Sequence, residues 1–303
     1  MTVDAAGEVR ALGGAALAVP VDVADADAVE DAAERVEQEL GPIDVWVNVA
    51  MTTVFAPIEE IAPEEFERAT RVTYLGQVHG TMAALRRMRP RDRGVVVSAG
   101  SALAFVGIAL QAPYCGAKFA VRGFHESVRT ELRHTGSRVR VAQVHLPALN
   151  TPQFDWCRNK MGRHAMPVPP MYPPETAARA IAATAASPRR QRIVGTWNWA
   201  LVQLAKAFPG MIDHYAAATT VDGQQTEEPV PTGAPDNLYE PLDGPHGEDH
   251  GAHGSFGDRS GGVLDPTFVR SLPGTARDAG RAVVARGREL LDDWFPVRRD
   301  DVS

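Results

Sequence analysis

Short apolar runs alternate with helix-length segments along most of the chain, and this alternation constrains the fold more than any other feature. Residues 43–49, 95–98 and 139–144 predict buried strands, because runs rich in β-branched residues are typical of strands covered on both faces. We expect two further strands, at residues 15–21 and near residue 193. Strands that alternate with helices build a doubly wound parallel sheet, so we predict an α/β fold.

The segments between these runs carry helix start and stop signals. Residues 3–12 read as the end of a helix closed by Gly13 and Gly14, and Asp25 is placed to N-cap a helix that ends at Gly41. Three longer helices are predicted at about residues 63–88, 112–134 and 174–187. The helices therefore fill the connections that a parallel sheet requires.

The chemistry of the chain is concentrated between Ser101 and Lys118. Tyr114 and Lys118 are four residues apart, so both lie on one face of the predicted helix. Ser101 follows a strand, at the edge where open α/β sheets bind ligands. A nearby ammonium lowers the pKa of a phenol, and a serine hydroxyl can hold a carbonyl or alcohol oxygen beside it. The set suits the proton transfer that accompanies hydride transfer; the alternative is a core tyrosine beside a surface lysine.

Composition argues against several other classes of protein. The formal net charge of −7 gives no support for a nucleic-acid partner. Cys115 and Cys157 provide neither a disulfide framework nor zinc-ligand spacing, so we expect a reducing cytoplasm and no metal. Residues 1–14 lack the basic start and apolar core of a signal peptide. Residues 94–117 are uncharged but contain Gly, Ser, Gln and Pro, which favours a buried strand and loop over a membrane span.

The serine and the Tyr-x-x-x-Lys pattern resemble those of the short-chain dehydrogenases/reductases, and the resemblance covers about residues 3–196. It implies a Rossmann-like sheet, an NAD or NADP cofactor, and Tyr114 as the general acid/base. Ser101 would position the substrate oxygen, and Lys118 would lower the phenol pKa and hold the nicotinamide ribose. Thr73 falls where many members carry a catalytic asparagine. The implied cofactor-binding positions are Asp22, Val23, Asn48, Ala50, Tyr114, Lys118, Pro147 and Thr151.

Individual matches and departures refine the resemblance. Asp22 matches the residue that contacts the adenine edge in the family, and Thr151 matches the contact to the nicotinamide carboxamide. Val49 and Met51 depart from the family's Asn-Asn-Ala-Gly pattern. A hydroxyl at Thr73 can hold a water molecule, but it cannot reproduce the donor and acceptor pair of an amide.

The largest departure is at the front of the chain, where the family's first strand, Thr-Gly-x-x-x-Gly-x-Gly turn, first helix and second strand are not seen. That turn holds the cofactor's pyrophosphate, and the second strand ends with the residue that selects NAD or NADP, so the preference cannot be read. We therefore expect an N-terminally truncated Rossmann-like domain. Either residues 15–21 pair with residues 43–49, or the fold is marginal, or the protein starts upstream.

We divide the chain into a Rossmann-like domain (1–196), a helical extension (197–222), a mostly disordered linker (223–274), and a C-terminal amphipathic helix and tail (275–303). The linker has ten Gly and seven Pro in 52 positions. Residues 149–172 match the family's substrate lid in position, and the alternative is a loop packed by its own side chains. In the extension, one apolar stripe is expected to pack on the sheet or lid rather than on a membrane surface: Trp197, Ala200, Leu201, Leu204 and Phe208.

Two functions follow from these patterns. The first is an NAD(P)-dependent oxidoreductase acting on an apolar carbonyl or alcohol substrate. The second is a non-catalytic remnant or misplaced-start fragment that binds no cofactor and acts as an interaction scaffold, favoured by the missing turn and by Thr73, Val49 and Met51. By resemblance we also expect a homo-oligomer built on the helices at 63–88 and 112–134.

Overall fold

The computed structural model describes residues 2–231, 233–242 and 250–261. In chain order, its helices and strands are α1 (Thr2–Ala11), α2 (Ala26–Leu40), β1 (Val45–Asn48), β2 (Val54–Phe55), α3 (Pro63–Thr70), α4 (Gly76–Arg91), β3 (Val95–Ser101), α5 (Ala112–His134), β4 (Arg140–Leu146), α6 (Gln153–Trp156), β5 (Arg158–Asn159), β6 (Arg163–Ala165), α7 (Pro174–Ala186), β7 (Gln191–Ile193), α8 (Thr196–Ala207), α9 (Pro209–Gly223) and β8 (Gln225–Pro229).

Four parallel strands form the central sheet in the order β1-β3-β4-β7. Val96, Val97 and Val144 on the inner strands are fully buried. Met88 of α4 and Leu132 of α5 pack into one apolar cluster with Val96, so these two helices cover the same part of the sheet. The predicted α/β class and parallel sheet are confirmed.

The helices begin and end close to where the sequence places them. The Asp25 side chain accepts hydrogen bonds from the backbone of Asp27 and Ala28, and Gly41 ends α2 with a φ of 91°. The helix expected at 63–88 is present as α3, a π-helical turn over Arg71–Leu75, and α4. α5 has its predicted bounds.

The prediction of a strand at residues 15–21 is wrong. This segment is irregular, and Val21 packs against α2 instead of joining the sheet. β1 pairs with β3 alone among the described strands, and Val45, Val47 and Val49 are 43%, 41% and 52% exposed. An apolar run becomes a strand only where a neighbouring strand offers hydrogen-bond partners, and residues 15–21 do not reach the open edge of β1.

The apolar stripe expected to be buried on the extension is largely exposed. Trp197 and Phe208 are 43% and 58% exposed, whereas Asn198 and Val202 on the neighbouring face are buried. The Asn198 amide donates to the backbone oxygens of His145, at 3.4 Å, and Val194, at 3.0 Å. These bonds at the ends of the strands turn the Asn198 face of α8 inward and leave most of the apolar stripe outside.

Part of the stretch expected to be mostly disordered is packed. Residues 225–229 form β8, which pairs with β6, and Leu238 is fully buried beside Val54, Ala56 and Ala69. A stretch rich in Gly and Pro can therefore still pack on the core, because burial of one apolar side chain, here Leu238, is favourable. The helix expected at 275–295 lies outside the described residues. No described helix is long and apolar enough to cross a bilayer.

Candidate active site

Ser101 ends β3, at the carboxyl edge of the sheet. It is buried, and its hydroxyl oxygen accepts a hydrogen bond from the backbone N–H of Leu103 at 3.1 Å. The Ser101 side chain lies close enough to the Tyr114 phenol for their interaction to act on the pKa of the phenol. Ser101 is therefore placed to share a substrate oxygen with Tyr114.

Lys118 lies one turn after Tyr114 on α5, as the four-residue spacing predicts. Its Nζ is 5.3 Å from the centre of the Tyr114 ring. The buried ammonium donates a hydrogen bond to the backbone oxygen of Ala99 in β3 at 2.8 Å. Because a lysine carries three N–H donors, two remain for a ligand. The structure thus brings Ser101, Tyr114 and Lys118 together.

The expected lowering of the phenol pKa is wrong for this structure. Burial raises the pKa of Tyr114 to about 12, against an opposing effect of the Ser101 hydrogen bond. Burial also lowers the pKa of Lys118 to about 8. Desolvation disfavours the charged form of each group and is the largest influence on both pKa values. At neutral pH Tyr114 is therefore a protonated acid beside a mostly protonated amine.

The His145 side chain packs against the end of β3, next to Gly100 and Ser101. His145 is buried in β4 with its Nδ1 3.2 Å from the backbone oxygen of Ser101, and burial lowers its pKa to about 4. A Cβ on Gly100 would lie 2.5 Å from this Nδ1. The neutral imidazole packs against Ser101 only because residue 100 has no side chain. The sequence did not predict this contact or the requirement for glycine at 100.

Ser101, Tyr114 and Lys118, called the trio below, open into a cavity of about 320 Å³. Its lining is mainly apolar, and Lys118 is the only charged side chain among the described lining residues. Pro147 and Thr151 line this cavity, as their cofactor assignment requires. Uncharged polar side chains are spread among the apolar lining residues, and a mainly apolar surface of this kind suits an apolar molecule.

The segment proposed as a lid forms one wall of this cavity. Phe154, Cys157, Val168 and Tyr172 line it, while Trp156 and Met171 of the same segment are buried. Both alternatives considered for residues 149–172 thus have a part in the structure. Residues from the far end of the described chain cover this segment: the Gly254 N–H donates to the Asn150 oxygen.

A further wall comes from the helical extension, which was expected to pack on the sheet or the lid but was not assigned to the cavity itself. α8 contributes Trp197 and Leu201. α9 contributes one continuous face, with the spacing of a helical stripe: Ile212, Tyr215, Ala216, Thr219 and Thr220. The sequence shows this spacing, but no motif near α9 indicates which cavity the stripe borders.

Thr73 and Asn48 are committed to bonds within the protein. The buried Thr73 hydroxyl donates to the Thr52 oxygen at 2.6 Å and accepts from the Thr52 N–H at 3.0 Å. The Asn48 amide accepts from the Trp46 indole at 2.7 Å and donates to Thr81 at 3.1 Å and to Ser98 at 3.2 Å. Neither side chain lines the cavity at the trio, so both are positioned to hold β1 and the π-helical turn.

The remaining cofactor candidates lie beside β1. Val23, Asn48 and Ala50 border a second recess of about 270 Å³. Asp22 lies nearby with its carboxylate 2.7 Å from the Arg68 guanidinium. Burial raises the pKa of Asp22, but the hydrogen bonds from Arg68 and Ala24 outweigh this effect and lower it overall. Asp22 is therefore an anion held by a structural ion pair.

The fold, the position of the trio and the sequence define the class of protein. The profile of the family described as short chain dehydrogenase matches residues 2–161. The chain belongs to this family of oxidoreductases. Among the described residues, no group of three His, Cys, Asp or Glu side chains is placed to hold a metal ion.

Individual relatives share this family. The chain is 29% identical over 241 residues to an uncharacterized oxidoreductase, YxnA, of Bacillus subtilis, covering 79% of this chain and 68% of that protein. It is 33% identical to 3-dehydrosphinganine reductase of Danio rerio, over 46% of this chain and 41% of that protein. A short-chain dehydrogenase from Streptomyces avermitilis has the same fold, with a TM-score of 0.56 and 22% identity over 71% of this chain and 85% of that one. The chain spans less than half the length of the sphinganine reductase.

Proposed function

We propose that this protein is an NAD(P)-dependent oxidoreductase that interconverts an apolar carbonyl compound and its alcohol. The observation that supports this most strongly is the convergence of Ser101, Tyr114 and Lys118 on one apolar cavity. Membership of the short-chain dehydrogenase family supports the reaction class.

The residues at the cavity fit the nicotinamide end of such a cofactor. Lys118 has two N–H donors beyond its bond to Ala99, and Thr151 and Pro147 border the same space. Gly76 and Gly80 border the recess beside β1. A Cβ on Gly76 would collide with Val23, and a Cβ on Gly80 would collide with Asn48. No described segment supplies a glycine-rich turn between a strand and a helix for the pyrophosphate. When bound, the nicotinamide supplies or accepts the hydride.

The protein's own residues handle the proton. In the reducing direction, the Ser101 hydroxyl donates a hydrogen bond to the carbonyl oxygen and the protonated Tyr114 phenol donates its proton to the same oxygen. The developing phenolate is stabilised by the Lys118 ammonium 5.3 Å from the ring centre. A phenol with a pKa of about 12 is matched to an alkoxide acceptor of higher basicity. In the oxidising direction the proton returns along the same path.

The walls of the cavity define the substrate class. Apart from Lys118 the described lining residues are uncharged, and most are aliphatic or aromatic. Lys118 is the only charged side chain among the described lining residues and is assigned here to the nicotinamide ribose, so a phosphate or carboxylate would find no other counter-ion in the lining, whereas an extended hydrocarbon needs none. We therefore propose a neutral apolar ketone or secondary alcohol as substrate.

Fluorescence titration of NADPH and NADH against the purified chain tests this function. We expect saturable binding of one of them, and the Tyr114→Phe variant should retain it because the ring and its packing are unchanged. Absence of saturable binding of both up to millimolar concentration contradicts the proposal and supports the non-catalytic scaffold, which the missing pyrophosphate turn favours.

We also propose that the protein forms a homo-oligomer through α4 and α5. Each helix exposes a large apolar side chain, Met82 on α4 and Phe119 on α5, as a helical interface between subunits requires. Sedimentation velocity should give an oligomer that Phe119→Glu dissociates, while the exposed His134→Glu on the same helix leaves it intact. A monomeric wild type contradicts the proposal.

A further inference from the structure

Gln224, at the junction of α9 and β8, connects three parts of the site wall. It is fully buried. Its amide nitrogen donates to the backbone oxygens of Ala109, at 3.1 Å, and Thr220, at 2.7 Å, and its amide oxygen accepts from the Gln111 amide. Its backbone oxygen accepts from the N–H of Met166 in the segment 149–172, at 2.8 Å. The wall helix, that segment and the loop before α5 therefore meet at one side chain.

The loop that Gln224 holds contains a strained residue. Leu110 has a φ of 68°, in the left-handed region that residues with a side chain rarely adopt. Its backbone oxygen accepts from the Ala56 N–H at 3.1 Å. Gln224 bonds to the residues on both sides of Leu110, namely Ala109 and Gln111. Strain of this kind persists only where surrounding contacts fix the backbone.

This loop sets the start of the helix that carries Tyr114. Gln111 is the N-cap residue of α5, and its backbone oxygen accepts from the Cys115 N–H at 2.9 Å. Tyr114 follows Gln111 by three residues. If the loop relaxed to a negative φ at Leu110, the first turn of α5 would shift, and a displacement of about 1 Å at a reacting group can reduce a rate by about 100-fold.

We propose that Gln224 is a positioning residue, which holds Leu110 in its left-handed conformation and thereby aligns Tyr114 with the wall formed by α9. The inference rests on the proposed function, because it assigns Tyr114 the proton transfer. A glutamine suits the role because its side-chain amide can donate to the Ala109 backbone oxygen and accept from the Gln111 amide at the same time.

The first experiment needs no turnover. Hydrogen exchange of residues 108–115 is measured in wild type, in Gln224→Leu and in Gln225→Leu. Gln225, the first residue of β8, is the matched control, because its side-chain amide donates to the Val221 backbone oxygen of α9 and, in the part of the chain that the structure describes, has no bond to the loop before α5. We expect exchange in 108–115 to accelerate about tenfold in Gln224→Leu, with no change in the control. Unchanged exchange, or equal acceleration in both variants, overturns the proposal. If Gln224→Leu does not fold, Gln224→Asn, which keeps the amide at shorter reach, replaces it.

The second experiment separates positioning from general stability. In Gln224→Leu we expect kcat to fall about tenfold with KM changed less than about twofold, since the cavity walls remain. Adding Leu110→Gly should restore most of kcat, because glycine adopts a φ of 68° without strain. A lower kcat that glycine does not rescue contradicts the role. If wild type shows no turnover, the proposed function fails, and the exchange experiment still decides on Gln224.

Discussion

The carboxyl ends of β3 and β4 and the region beside β1 use their polar residues in opposite ways. At β3, Ser101, Tyr114 and Lys118 line a cavity, and the Lys118 ammonium has two N–H donors beyond its bond to Ala99. Beside β1, the Asn48 side chain is fully bonded within the protein and Asp22 is paired with Arg68. The residues that match the family's motifs therefore fall into two sets. One set, at β3, is available for chemistry, and the other, beside β1, stabilises the sheet.

This comparison predicts that substitutions in the first region change turnover at nearly constant stability, and that substitutions in the second change stability.

The largest effect is expected from Tyr114→Phe. Loss of the proton donor should lower kcat/KM by about 10²–10⁴-fold, with thermal stability nearly unchanged because the ring still fills its half-buried site. The matched control is Tyr215→Phe, a wall residue of the same cavity, which should change kcat/KM by less than about threefold. Steady-state kinetics on both variants test this. Equal losses in the two variants would show that Tyr114 is only a lining residue.

Asn48→Ala should act on stability instead. The substitution removes the partners of the buried Thr81 and Ser98 hydroxyls and of the Trp46 indole, so we expect about 2–3 kcal/mol less free energy of unfolding. Urea unfolding measures the change, and Asn159→Ala is the control, because among the described residues the Asn159 amide bonds only to backbone groups of its own loop, the Arg163 oxygen and the Met161 N–H. A stable Asn48→Ala variant with impaired cofactor binding would move Asn48 into the functional set.

Low pH should destabilise the fold because His125 is fully buried. Burial lowers the pKa of His125 to about 3 from its ordinary 6.5. Between these values the unfolded chain binds a proton that the folded one does not, so stability falls as the pH drops below 6.5. At pH 5 the loss from His125 is about 2 kcal/mol. His125→Phe should remove that part of the pH dependence, while the exposed His134→Phe should not; equal pH profiles for wild type and His125→Phe would contradict the assignment.

Asp22→Asn should give the smallest change in stability. The ion pair with Arg68 is half exposed, so its loss should cost less than about 1 kcal/mol. If Asp22 also contacts an adenine, as the family resemblance implies, the Kd for NAD(P)H should rise about tenfold in the same variant. Glu67→Gln, which removes another surface ion pair, is the control. An unchanged Kd would assign Asp22 wholly to the structural set.

The sequence predicted those parts of the molecule that depend on local signals. The bounds of α5 follow from its flanking residues, and the contact between Tyr114 and Lys118 follows from helical periodicity. Features that depend on distant partners were missed or wrong. Residues 15–21 found no neighbouring strand, Asn198 turned α8 by bonding to His145, and Gln224 reaches Gln111 across 113 positions. The rise in the Tyr114 pKa reflects burial by several elements, which residue spacing alone does not encode.

The central claim is that the trio transfers a proton while a nicotinamide transfers a hydride to the same apolar carbonyl. The most direct measurement follows a deuterium label from the C4 position of reduced NAD and NADP cofactors, both faces sampled, into an apolar ketone series by mass spectrometry. We expect deuterium on the carbinol carbon of the product with wild type, and at least about a hundredfold slower transfer with Tyr114→Phe. Transfer at equal rates in both proteins, or no transfer by wild type with saturating cofactor, would contradict the account.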